Sequence, residues 1–320
     1  MIMAAACNQI QTTEEEKTVE RTTVPVTVKV NGESATRSVA STSDEAKINS
    51  LQIFVFDNDD KIESYAKADA ASLTLNVSFG QKIFIALVNC PDDFAKNVGT
   101  KADLLAQTSY LKDNGTANFE MIGIRSGTIT AVQDIEITVK RLVSKVILEK
   151  VSTNFKAPYL AAKEFKITGI YLINAAASTN FGLTATTFDW MNQLKLDTSN
   201  SQATELIQKT GMNQTVTSAV PYTTATAFYS YPNPTDADNT GEAWAPRRTR
   251  LVVQATLDGE PLYYSVPLPV MKNNTIYKIT ELNITRKGTA NPWESIKSAD
   301  ATFTLAVSAW DEGSSESVTI

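Results

Sequence analysis

Histidine is absent from this 320-residue chain, which removes the commonest general base near neutral pH and the commonest neutral metal ligand. A Ser-His-Asp triad, a Cys-His pair and a histidine zinc site are thereby excluded. Cysteine is nearly as scarce: Cys7 and Cys90 alone are too few for a disulfide framework. With 13 Gly and 11 Pro the chain is far from collagenous or low-complexity composition. Positive charge is in deficit, 29 Lys plus Arg against 35 Asp plus Glu for a net charge of -6. No basic run is long enough to track phosphates, so nucleic acid is not an expected partner. No apolar stretch approaches the roughly 20 residues of a membrane-spanning helix.

What remains is an ordinary globular composition, 42% hydrophobic and 20% charged, in a chain long enough for two cores of roughly 150 residues each. Met1 to Gln9 reads Met-Ile-Met-Ala-Ala-Ala-Cys-Asn-Gln, small apolar residues ending at a cysteine. It resembles the tail of a bacterial lipoprotein signal, with Cys7 as the residue to be lipidated. The run before Cys7 is shorter than a full signal and is read as its remnant, the alternative being an arbitrary cysteine in a frayed tail. The polar stretch that follows is read as a tether, so that 1–23 forms signal remnant and tether and the fold starts at Val24.

Val24, Val26, Val28 and Val30 alternate with Pro25, Thr27 and Lys29, a period of two that marks a half-buried strand with Pro25 near its beginning, one able to leave a sheet edge. The Gly- and Ser-containing segment after it has turn chemistry, which places Arg37 in an exposed loop. Strands are expected at Leu51 to Phe56, around Ile62 to Tyr65, at Ser72 to Phe79, Lys82 to Val88, Thr128 to Val139 and Leu142 to Val151. A second series covers Phe165 to Ile173, Ala219 to Tyr231, Arg250 to Leu257, Leu262 to Leu268, Thr275 to Ile284 and Ala301 to Trp310. Helix is expected only within Phe94 to Tyr110, and 174–214 reads as a long polar insertion. The predicted fold class is mainly β: two β-sandwich domains in tandem with short helical insertions, the first over 24–151, a linker over 152–164, the second over 165–320.

Several strings in order along the chain are similar to the fimbrillin family of Bacteroidales, the type V pilins. They are Ala35-Thr36-Arg37-Ser38, the run from Ile48 to Asp57, Ile85 to Asn89, Arg141 to Val146, Phe228 to Asn233, Asn273 to Tyr277, and Val307-Ser308-Ala309-Trp310. Lys272-Asn273-Asn274 stands where members often carry Arg-Asn. The resemblance implies transthyretin-like sandwiches, and a subunit that reaches the outer membrane as a lipoprotein and is then part of an extracellular pilus. It also implies an Arg-specific protease that cuts between Arg37 and Ser38, removal of the strand bearing Val24, Val26, Val28 and Val30, and filling of its groove by a strand from another subunit. The expected partners are other copies of the chain, companion pilus subunits, that protease and, through the lipid anchor, the membrane.

The residues supply a donor independently. Phe303, Leu305 and Val307 repeat the two-residue period of the valine strand, within a donor segment 299–320. The Gly- and Pro-containing Lys287 to Pro292 before it reads as a flexible break, although the segment also reads as the last strand pair of its own domain. No catalytic residue, cofactor or metal is assigned: Asp57 to Asp60 and Asp236 to Glu242 are read as solvated turns in preference to Ca²⁺ loops, and Cys90 as a buried apolar side chain. Arg247, Arg248 and Arg250 near Trp244 read as an exposed edge guard, or as a contact for an acidic glycan or a partner subunit, and Tyr222, Phe228, Tyr229 and Tyr231 read as core in preference to a carbohydrate platform. The competing function is a monomeric surface lipoprotein that binds a glycan; a carboxylate hydrolase has no motif to support it.

Overall fold

The computed structural model describes residues 22–32, 43–184, 189–199, 205–238, 241–297, 299–310 and 316–319. The first half contains β1 (Thr23–Gly32), β2 (Leu51–Phe56), β3 (Ile62–Ala68), β4 (Ser72–Ser78), β5 (Gly80–Val88), β6 (Thr108–Tyr110), β7 (Met121–Ile129) and β8 (Gln133–Arg141). β9 (Ser144–Leu148), β10 (Val151–Thr153) and β11 (Phe165–Ile173) follow. Then come the short strands β12 (Ala175–Ala176), β13 (Ser178–Asn180), β14 (Trp190–Met191), β15 (Gln208–Lys209) and β16 (Gln214–Thr215). β17 (Thr226–Ser230), β18 (Arg250–Leu257), β19 (Glu260–Pro267), β20 (Thr275–Ile284), β21 (Ala301–Ala309) and β22 (Glu316–Thr319) complete the order. Helix is confined to short pieces, among them α1 (Lys101–Ala106), α2 (Pro158–Ala161) and the 3-10 turn Ser43–Ala46.

The first half is a sandwich. One layer has the order β8-β1-β4 and the other β3-β2-β5-β7, with backbone pairing between them where Met121 and Ile122 meet Arg141 and Lys140. Between the layers lies a core of Val26, Val28, Val30, Leu75, Val77, Ile135 and Ile137 against Ile53, Val55, Phe84 and Ala86. Every residue of β2 is buried, because its other face, Phe54 and Phe56, enters a second core that runs on into the second half. This is why Ile53 to Phe56 is continuously apolar rather than alternating. The second half pairs β17-β9-β20-β21-β22, with β10 also on β20, against β15-β11-β18-β19. No helix among the described residues is long and apolar enough to cross a membrane.

Three expectations change. β1 is an interior strand, antiparallel to β4 and parallel to β8; Pro25 is tolerated because the β8 ladder begins only at Val26. The stretch placed at the end of the first domain pairs elsewhere: β9 bonds to β17 and β20, and β10, in the supposed linker, bonds to β20. A β-branched run carries no information about which sheet it joins. The insertion 174–214 is not simply a loop, since Ala175, Ala176, Ala177, Met191, Leu206 and Ile207 are buried in the common core.

Candidate assembly site

β1 presents Val26, Val28 and Val30 to the sandwich core, with Val24 partly buried beside them. Its other face carries Thr27, whose hydroxyl meets that of Thr74, and Lys29, ion-paired with Asp134. It is bounded on both sides: residues 23–29 pair with β4 and residues 26–32 with β8. Taking it out exposes two facing rows of backbone donors and acceptors and an apolar trough. Cys7, Arg37 and Ser38 lie outside the described residues.

β21 has the matching alternation. Ala301, Phe303 and Leu305 are buried, Thr302 is exposed, and Val307 packs partly buried on the core. Its nine residues compare with ten in β1. In this monomer β21 is paired along its length with β20 and over Thr304 to Val307 with β22. The break expected before it is packed down. Tyr263 and Thr289 exchange two backbone hydrogen bonds of 3.0 Å, and the Ile296 N–H donates to Ser265 O at 3.2 Å. Gly288 is there for close approach, since a Cβ would stand 2.6 Å from Tyr263 O.

A buried ionic cluster links the two ends of the described chain. The Glu45 carboxylate, in the 3-10 turn Ser43–Ala46, accepts from Lys145 Nζ at 2.7 and 2.9 Å and from the Tyr229 hydroxyl at 2.6 Å. Arg141 Nε donates to Glu45 O at 3.0 Å. Trp310, just past the end of β21, lies under the Arg141 guanidinium at 4.7 Å and beside Lys145 Nζ at 5.5 Å, and stacks on Tyr229 at 5.9 Å. Burial pulls the Lys145 ammonium below its ordinary range, with Glu45 opposing, and burial with the Glu45 hydrogen bond pushes Tyr229 up. Sequence reasoning missed Glu45 because it sits in a polar stretch. The available signal was Arg141 and Lys145, two cations on one face of a β-branched run that must find carboxylate or carbonyl partners.

The other singled-out residues serve structure. Arg247 and Arg250 are 1% exposed, not an exposed guard. Arg247 donates to the carbonyls of Gly241, Ala243 and Ala245, and Arg250 pairs with Asp238 and Ser295. Tyr222, Phe228, Tyr229 and Tyr231 are buried in the core. Asp57 Oδ1 accepts from the N–H groups of Asp59 and Lys61, which closes the β2–β3 hairpin. Cys90 is buried, with its thiol pushed up by burial and by Glu120.

Residues 22–142 match the family model of the major fimbrial subunit protein, FimA. No curated protein is matched by sequence. Among solved structures, the chain is similar to a fimbrilin (FimA) from Porphyromonas gingivalis with a TM-score of 0.63 and 16% identity, over 90% of this chain and 97% of that one. A protein of Bacteroides eggerthii provisionally named for cell adhesion gives 0.64 and 16% over 90% and 96%. The tip fimbrial protein Mfa3 of Porphyromonas gingivalis gives 0.54 and 13% over 88% and 99%. Residues 22–142 are thus similar in sequence to the major fimbrial subunit family, and the chain as a whole has a fold similar to that of the solved fimbrilin.

Proposed function

We propose that the protein is a structural subunit of a cell-surface pilus, non-catalytic, exported as a lipoprotein through Cys7 and supporting adhesion. An Arg-specific protease cuts after Arg37, β1 leaves, and the β21 segment of another copy, or the equivalent strand of a companion subunit, fills its place. The two sandwiches act as successive domains, the first giving up the strand and the second donating one. The observation that carries this reading is the position of β1: an interior strand with a buried valine face, followed by the segment that holds Arg37. β21 supports it, because Phe303, Leu305 and Val307 repeat the β1 spacing with larger groups. Each fully buried side chain of this kind contributes roughly 1.5–3 kcal/mol before ordering costs.

Arg-specific digestion of the purified protein is expected to convert monomer into a ladder of polymers, and Arg37→Ala to leave a folded, soluble monomer under the same digestion. Equal ladders from both proteins overturn the cleavage site. Absence of polymer from the cleaved wild type leaves the monomeric surface protein as the better reading.

A further inference from the structure

Glu45 and Trp310 are far apart in sequence, yet three residues touch both. Lys145 bonds the Glu45 carboxylate and faces the Trp310 ring; Arg141 bonds the Glu45 carbonyl and covers that ring. Tyr229 donates to Glu45 and stacks on Trp310. Phe119 closes the cage, 4.7 Å from the Tyr229 ring and 6.0 Å from that of Trp310. The backbone N–H of Trp310, just past the end of β21, donates to Asn274 O at 2.9 Å, and Asn274 Oδ1 accepts from Arg141 Nη1 at 3.3 Å.

We propose that this Glu45 clasp is a latch that keeps β21 in its own sheet, and that cutting the chain after Arg37 weakens it. The inference rests on the reading of Arg37 and β21 given above. In the uncut chain Ser43–Ala46 is tethered from both sides, by β1 with its two ladders and by β2. Cutting removes the first tether, so the turn is retained by fewer restraints and opens more often. When Glu45 withdraws, Arg141 and Lys145 lose a buried carboxylate and a carbonyl, and water must enter to solvate them. The water enters at the seat of Trp310, so the end of β21 frays first. The coupling is reciprocal: a β21 that has left its sheet uncovers Glu45.

The test is amide hydrogen exchange on the full, uncut chain, compared among wild type, Glu45→Gln and Tyr229→Phe. Glu45→Gln keeps the shape and removes the charge, and is expected to speed exchange in β21 by about tenfold or more while β11 and β18 stay unchanged. Tyr229→Phe removes a single donor and should give a smaller rise at the same amides. Exchange in β21 that is indifferent to both variants overturns the latch. So does a rise of equal size in every strand with both variants, which would mean general destabilisation. Polymer formation is scored separately. Faster β21 exchange in Glu45→Gln with no polymer from cut wild type supports the latch and removes the assembly reading. Polymer from cut wild type with unresponsive β21 exchange does the reverse.

Discussion

Gly123 lies so close beneath Thr138 that a Cβ at its position would stand 2.5 Å from the Thr138 carbonyl oxygen and 2.6 Å from Ile137 Cγ2. This is where β8, having run beside β1 in the other layer of the sandwich, approaches the two positions at its end that pair with β7. Gly123→Ala should therefore push β8 outward and destabilise by about 1–3 kcal/mol. Gly127→Ala on the same strand meets only Ile135 Cδ1 at 4.0 Å and should be close to neutral. Urea titration of the two variants checks the contrast. Because β8 is the parallel neighbour of β1, Gly123→Ala should also speed amide exchange in β1.

Glu120 is 2% exposed, its N–H donates to Asn114 Oδ1 at 2.9 Å, and the Cys90 thiol lies 3.9 Å from its carboxylate. Burial raises its pKa from 4.5 to about 7. The folded protein then holds a proton that the unfolded chain releases, so stability falls as pH rises from about 4.5 to about 7 and levels off above that. The contribution is at most on the order of 3 kcal/mol. Glu120→Gln, neutral throughout, should flatten this part of the profile. Denaturation midpoints measured at intervals across that pH range decide the matter, and parallel wild-type and variant profiles count against it.

The donor role proposed for β21 is best tested apart from its own sheet, because Leu305 is 1% exposed in the monomer and Leu305→Asp in the whole chain would disturb the second half as well. A labelled peptide spanning Ala301 to Ala309 should bind cleaved subunit from which β1 has been lost, and not uncut subunit. The same peptide with Leu305→Asp should bind far more weakly, since an unpaired carboxylate in the trough costs several kcal/mol. Fluorescence anisotropy reads both. Equal binding by the two peptides assigns the donor elsewhere.

Cys7→Ala is expected to release the full-length native protein from membrane fractions and to lower its mass by the acyl groups. Two or three chains, each buried CH₂ contributing about 0.8 kcal/mol, hold a protein on a bilayer where one does not. Unchanged fractionation with unchanged lipid mass removes the anchor from the reading.

Much of the ladder was legible residue by residue. β11, β18 and β20 occupy the segments expected from β-branched runs bounded by turn residues, and the valine period of β1 matches its buried face. β7 was caught only at its end, because Gly123 to Gly127 interrupts the apolar pattern where the layers cross. Which sheet β9 joins was not legible, since pairing is decided by contacts remote in sequence. The same reason hid the burial of Arg247 and Arg250, whose partners are the carbonyls of Gly241, Ala243 and Ala245 for the first and Asp238 with Ser295 for the second. Glu45 was hidden because one carboxylate among several polar residues has no local signature of burial.

The neighbours of β1 have a consequence for direction. β1 runs against β4 and along β8, so the two walls of the space it occupies run opposite to each other. Any strand lying there makes one antiparallel and one parallel ladder, whichever way it points. The backbone thus offers both orientations on nearly equal terms, and the sense in which a replacement lies must be chosen by side chains: where the largest groups meet the widest part of the trough, and which end tolerates a residue without an N–H. A head-to-tail fibre built on this fold would owe its polarity to an apolar pattern of three or four residues rather than to its hydrogen bonds.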